Sequence, residues 1–316
     1  MTQYNNRCVN NGILSALCSL SLLLGALSLS LFFSDDASAA VYEAMKLCAA
    51  VIIPSVFPFM IISDFLISAV NFNSLKLPSR IFERIFHIKG DGLCAFTMGA
   101  ICGFPLGVKC ACELYRAGRI SRAEAEKLIG FSNNTGPAFI VSGIGVGLRA
   151  SAADGIFLYL VMLASAIAVG IIFPTKKGSG LIEYKFDDNR TRFDLIASVK
   201  SAALGCVYIC AFLTFFAPVC ALVRIISGGG YIYLLSLPFF EVGNAVKEIS
   251  LSPMLTDLGS LALTGFAISF SGLSVHMQAL SFIKDTDIRV GRYFLMKLAE
   301  GGTAVLLILA LYPLIK

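Results

Sequence analysis

Eight stretches of this chain contain no Asp, Glu, Lys or Arg: Cys8–Ser34, Leu47–Ser63, Leu93–Val108, Leu128–Leu148, Gly155–Thr175, Ser201–Val223, Leu258–Ile283 and Gly301–Ile315. A helix needs about 20 apolar residues to cross the hydrocarbon layer of a bilayer, and several of these stretches reach that length. A soluble core has no room for so many. The runs are continuous and do not alternate, so they are not the strands of an outer-membrane barrel. Only 14% of the 316 residues are charged and the mean hydropathy is +0.82, against about a quarter charged in a soluble domain. The chain reads as an all-α polytopic membrane protein whose first partner is the lipid bilayer.

The charges that remain are grouped. Lys76, Arg80, Arg84 and Lys89 form one basic cluster, and Arg116, Arg119, Arg122 and Lys127 a second. Lys176, Lys177, Lys185, Arg190, Arg192 and Lys200 form a third, and Lys284, Arg289, Arg292 and Lys297 a fourth. These hold 18 of the 25 Lys and Arg residues, so the positive-inside rule places all four on the cytoplasmic side. The net charge of +5 then reflects cytoplasmic loops and calls for no nucleic-acid partner.

That placement constrains the path of the chain. The first two clusters flank Leu93–Leu114, and they share a side only if this segment enters the membrane and turns back. Gly99, Gly103 and Gly107, four apart, with Pro105 between the last two, supply a turn, so a re-entrant hairpin is expected with its tip at Gly103–Gly107. Ser121 and Glu124 make a capping box for a short surface helix, Ser121–Lys127. The crossings are Gly12–Phe33, Ala44–Phe72, Leu128–Leu148, Ala152–Phe173, Leu195–Val223, Leu255–Ile283 and Arg292–Ile315. Asp35 and Asp36 fall in an outer loop and the N-terminus is cytoplasmic. Tyr231–Ile249 reads as a second re-entrant segment, entering from outside. About seven crossings and two opposed hairpins make an inverted repeat. The chain divides into an N-terminal helix with its loop (1–40), a first repeat (41–173), a cytoplasmic linker (174–194) and a second repeat (195–316). Ala37-Ser38-Ala39 resembles a signal-peptidase site, but the preceding apolar run is longer than a signal-peptide core, and an uncleaved first helix is expected.

Four stretches place polar residues at membrane depth: Gly103–Lys109, Ser132–Pro137, Phe240–Asn244 and Ser269–Gln278. Unwound backbone survives there only against protein or a watery cavity. Its free N–H and C=O groups suit anions and cations respectively. Candidate solute-binding residues are Gly103, Pro105, Gly107, Lys109, Asn133, Asn134, Thr135, Glu241, Asn244, Ser271, Ser274 and Gln278. An ionisable residue inside a membrane is a functional candidate by default, so Glu241 is the sharpest of these, as a substrate ligand, a proton carrier or a sodium ligand. The competing reading places it at the interface, or pairs it with Lys247 or Lys109 for structure. His276 reads as a structural hydrogen-bonder, Asp64 and Glu300 as interface residues, and Gly143–Gly147 as a helix-packing run. The ten cysteines form no CxxC pair and there are two histidines, so no zinc site, and no resident cofactor, is expected. No HExxH occurs and no Ser-His-Asp set can be assembled, which argues against an enzyme.

The order Gly103-Phe-Pro-Leu-Gly107, Gly118-Arg-Ile-Ser121, Ser132-Asn-Asn-Thr-Gly-Pro-Ala-Phe-Ile140 resembles the nucleoside-recognition (Gate) domain. In particular it resembles the YlbJ (SpoVV) family of sporulation integral membrane proteins. Phe239-Phe-Glu-Val-Gly243 and Phe270–Gln278 look like that family's second half. The resemblance spans about Ala44 to the C-terminus and implies a nucleoside-carrier-like fold. It also implies a role in endospore formation: moving dipicolinic acid from the mother cell toward the forespore, across the outer forespore membrane. Dipicolinate is a small aromatic dianion. Helix N-termini, asparagine amides and Lys109 suit its carboxylates, whereas Glu241 opposes them unless it holds a proton or a cation, so coupling to a proton or sodium ion is expected. A nucleoside carrier and a non-transporting assembly factor are the alternatives.

Overall fold

Backbone N–H and C=O groups in lipid must bond within the protein, which leaves helices as the way to build long uncharged segments. The computed structural model describes residues 19–21, 23–25, 35–69, 76–175 and 194–315, and among these there is no strand. Most of the expected first crossing lies outside the described residues, as do most of the linker and of the third basic cluster. The helices are α1 (Asp35–Leu47), α2 (Ile53–Ala69), α3 (Lys76–Phe86), α4 (Gly92–Cys102), α5 (Leu106–Arg116), α6 (Arg122–Ser132), α7 (Ala138–Leu148, wound as a π-helix) and α8 (Ala152–Ile172). They continue as α9 (Leu195–Ser227), α10 (Tyr231–Phe240), α11 (Val242–Leu251), α12 (Asp257–Phe270), α13 (Gly272–Ile283) and α14 (Gly291–Ile315). Among the described residues four stretches are long and apolar enough to cross a membrane: α8, α9, α12 with α13, and α14.

Two local expectations are corrected. Asp35 and Asp36 begin α1 and are not in a loop; α1 runs through a π-turn, Cys48–Ile52, into α2. Pro54 lacks the N–H that would continue the ladder there. The Ser121–Glu124 capping box is present, but its helix runs on to Ser132 with Glu124 and Lys127 buried. Ser121–Lys127 is therefore not a surface helix; it is the start of an interior one.

The outward faces of α8, α9 and α14 expose Leu160, Ile171, Leu204, Val207, Ile226, Leu306 and Leu309. An apolar belt of this extent suits lipid and not water. Charged pairs collect at either end of α14. At one end, Arg122 meets Glu126 and Asp287, Tyr115 donates to Asp287 at 2.6 Å, Arg119 holds Asp91 at 2.6 Å, and Arg292 donates to the Pro174 carbonyl. At the other end, Arg149 holds Asp154 at 3.0 Å and Asp257, and Tyr312 donates to Asp257 at 2.9 Å. Arg119 and Arg122 of the second basic cluster, Arg292 of the fourth and the start of the linker therefore share one end of the molecule.

Helices α4 and α5 run antiparallel. The Arg119–Asp91 pair ties their outer ends and Gly103–Pro105, with a cis Phe104–Pro105 bond, turns the chain between them. The glycines do more than bend it. A Cβ on Gly99 or Gly107 would lie 1.7 or 1.9 Å from the Ser132 carbonyl oxygen, so this pair cradles the end of α6. Gly103 adopts φ 85°, and a Cβ there would meet the Gly136 nitrogen at 2.8 Å. In the run Gly143–Gly147, Gly145 packs on Gly155 of α8. Helices α10 and α11 form a second antiparallel pair: Glu241 joins them, and the Tyr231 hydroxyl reaches the Met254 carbonyl at 2.8 Å.

Because the atom in the way is backbone, Gly99→Ala or Gly107→Ala is expected to destabilise the protein by about 1–3 kcal/mol or more. Gly302→Ala, facing open space, should be close to neutral. Thermal unfolding in detergent measures the difference.

Candidate functional site

Two helices break inside the molecule. The first break is Asn133–Pro137, between α6 and α7, and the second is Ser271, between α12 and α13. Ser271 and Gly272 are both left-handed, at φ 78° and 73°. A serine held there costs about 1–2 kcal/mol, a strain of the kind that collects at functional sites. Each helix pair inserts its turn against one break: Gly103 lies on Gly136, and Gly272 lies on Pro238 and Glu241. The breaks join directly. The Thr135 hydroxyl donates to the Ile268 carbonyl at 2.7 Å, and the Ser271 hydroxyl approaches the same oxygen at 3.4 Å.

A buried polar chain leads from this crossing. The Asn133 amide nitrogen donates to the Tyr293 hydroxyl at 2.9 Å, and that hydroxyl lies 2.8 Å from His276 Nδ1. Tyr293 has one proton. Since it already accepts from Asn133, the proton goes to Nδ1, and His276 carries its own proton on Nε2. The ring stands edge-on to Phe270, Tyr293 and Phe294. On the other side, Lys297 Nζ donates to the Asn133 carbonyl at 2.9 Å and to Glu300 Oε2 at 2.8 Å. Both members of this ion pair are 0% exposed.

Several polar atoms here are buried with no partner in the protein: Asn133 Oδ1, Asn134 Oδ1, Ser132 Oγ, Ser269 Oγ, His276 Nε2, Gln278 Oε1 and Glu300 Oε1. Each costs about 1–3 kcal/mol if left so. Such a concentration in one place calls for an explanation. Helices α5 and α13 begin here without side-chain caps, and a helix N-terminus favours an anion.

The candidate residues divide accordingly. Gly103, Pro105 and Gly107 form the first turn; Asn133, Asn134 and Thr135 the first break; Ser271, Ser274 and Gln278 the second break and the helix after it. Gln278 reaches Ser274 only at 3.5 Å. Lys109 is elsewhere. It is 1% exposed and bound to Asp64 and the Met60 carbonyl of α2, away from the polar chain. Glu241 pairs with neither Lys247, which is exposed, nor Lys109. It is 4% exposed, and its two oxygens accept from the Gly243 and Asn244 nitrogens at 2.7 and 2.6 Å. It is the N-cap of α11, and it neutralises that helix end where α5 and α13 are left open.

Glu300 is not an interface residue, and Lys297 does not belong with the cytoplasmic cluster: the two form an ion pair fully buried in the protein. Asp64, its side chain 17% exposed, pairs with Lys109. The spacing Lys297-x-x-Glu300, flanked by Tyr293 one turn earlier on an otherwise apolar helix, was the signal in the sequence. Among the described residues no cluster of His, Cys, Asp and Glu could hold a metal. An apolar cavity of about 880 Å3 opens between α1, α2 and α9, lined by Met45, Phe57, Cys206, Val207 and Phe215. It offers a charged solute nothing to bind.

Comparison with known proteins adds one relative. The chain is similar to the "Sporulation integral membrane protein YlbJ" of Bacillus subtilis (strain 168). Identity to YlbJ is 27% over 303 aligned residues, covering 83% of this chain and 74% of the relative. No protein-family model matches the chain, and no solved structure matches it. The similarity to YlbJ, together with the apolar helices, makes this an integral membrane protein.

Breaking the buried pair from one side leaves an uncompensated charge. Lys297→Met or Glu300→Gln alone is expected to cost about 3–5 kcal/mol, and the double variant markedly less than the sum. Glu241→Ala removes a cap and is expected to cost about 0.5–2 kcal/mol. Unfolding of the four purified variants in detergent provides the comparison.

Proposed function

We propose that this chain is a sporulation membrane transporter of the YlbJ family that carries a small organic anion, dipicolinic acid, from the mother cell toward the forespore. The observation that carries the reading is the crossing itself. Two helix pairs turn against two broken helices, and polar atoms without protein partners gather where they meet. Transporters bind solutes at interrupted helices related by an inverted repeat. In this reading the α4–α5 and α10–α11 pairs are re-entrant hairpins entering from opposite sides, each belonging to one Gate-like repeat (41–173 and 195–316). About seven helices cross the outer forespore membrane, with the N-terminus cytoplasmic.

The chemistry of the crossing supports a carboxylate-bearing solute. His276 Nε2–H and the first turns of α5 and α13 are donors without partners, and Lys297 is a cation with three N–H groups, two of them engaged. The similarity to YlbJ supports the sporulation setting. Glu241, a helix cap, is not given a solute-binding role.

Purified protein in proteoliposomes is expected to take up radiolabelled dipicolinate, with excess unlabelled dipicolinate competing and a nucleoside not competing. Asn133→Ala removes the amide that fixes Tyr293 and His276. It should raise KM about tenfold, the equivalent of about 1.4 kcal/mol. Competition by the nucleoside would reassign the solute class. Absence of flux for either, with the protein folded in the vesicles, would contradict transport and favour an assembly role.

A further inference from the structure

Lys297 and Glu300 are a fully buried ion pair within one helix. An ion pair inside one helix ties no two elements together, and burying it costs several kcal/mol for each ion. Among the described residues no other ion pair is buried on both sides to this degree: Lys109 with Asp64, Arg122 with Glu126 and Asp287, Arg119 with Asp91, and Arg149 with Asp154 and Asp257 all keep some exposure. The third N–H of Lys297 has no protein partner among the described residues. Glu300 Oε1 has none either. The pair lies on the Asn133 carbonyl, at the edge of the first break.

We propose that Lys297 and Glu300 form a proton-coupling site. One carboxylate of the solute takes the third N–H of Lys297, and Glu300 takes up one proton as it binds. The inference rests on the transport reading above and assigns its coupling ion. The reason is charge. Before binding, the pair is neutral. A second carboxylate on the same ammonium puts two like charges within a few ångströms in a site closed to water, where both cannot stay ionised. The solute carboxylate faces the open starts of α5 and α13, each worth about half a positive charge. Glu300 faces none of these donors, so the proton goes to its unpartnered Oε1.

The groups around Glu300 leave it as the acceptor. On α14 itself they are Lys297 and Tyr293; from α13, His276 faces Lys297. From α6, Glu126 and Lys127 are held at the far end by Arg122 and by the Phe86 carbonyl. From α8 and α12, Asp154 and Asp257 are held by Arg149 beside Tyr312, twelve residues or about 18 Å along α14. Among the described residues no other carboxylate pairs with Lys297.

Titrating detergent-solubilised wild-type protein with dipicolinate in weakly buffered solution, with a pH indicator, reads the coupling directly. About one proton is expected to be taken up per dipicolinate bound. In proteoliposomes an inward proton gradient, without sodium, is expected to drive accumulation at least tenfold over the ungraded level. The double variant Lys297→Met/Glu300→Gln should bind dipicolinate at least tenfold more weakly, and its remaining binding should take up no proton. Dipicolinate bound or transported without proton uptake, accumulation driven by sodium alone, or unchanged proton uptake in the double variant would each overturn the coupling site and leave the transport reading standing. No binding and no flux in the wild type would overturn both.

Discussion

A helix that stops inside a membrane leaves carbonyls that must be answered from within the protein, and this fold is arranged around answering them. At the end of α6, the Phe131 carbonyl accepts the Asn134 amide, the Ser132 carbonyl sits in the cradle of Gly99 and Gly107, and the Asn133 carbonyl accepts from Lys297. At the end of α12, the Ile268 carbonyl accepts from Thr135. Asn134 answers from within its own break, and the other answers come from the α4–α5 pair, from α14 and from one break to the other. The two breaks are thus possible only together, and only with the α4–α5 pair and α14 in place. A cation at a helix C-terminus also meets the negative end of the helix dipole, which explains why a lysine is tolerated at that depth.

The same arrangement separates two kinds of buried charge. Lys109–Asp64 and Glu241 hold elements in place: one ties α5 to α2, the other caps α11. Lys297 and Glu300 adjoin atoms that have no protein partner.

Much of this was legible in the sequence because lipid leaves so few options. The segments expected at Ala152–Phe173, Leu195–Val223 and Arg292–Ile315 match α8, α9 and α14 to within a few residues. Gly99, Gly103 and Gly107 mark the turn, and Ser132–Pro137 and Ser269–Gln278 mark the two breaks. What the sequence left ambiguous was partnership. Glu241 stood out as a lone acid in an apolar run, but the two backbone N–H groups that occupy it are those of the next helical turn and leave no trace in composition. Lys297 was grouped with basic residues a few positions before it, because charge counting sees neighbours along the chain and not the Asn133 carbonyl, 164 residues away. The Asp64–Lys109 pair is equally invisible to charge counting, its members lying on different helices.

The central claim is that a solute sits where the two broken helices meet. Electron cryomicroscopy of the protein in lipid nanodiscs, with and without dipicolinate, tests it most directly. The account predicts ligand density between the Asn133–Pro137 and Ser271–Gly272 breaks, within hydrogen-bond reach of His276 and Lys297. Ligand density confined to the apolar cavity beside Cys206 and Phe215, or to the Lys109–Asp64 pair, would contradict it.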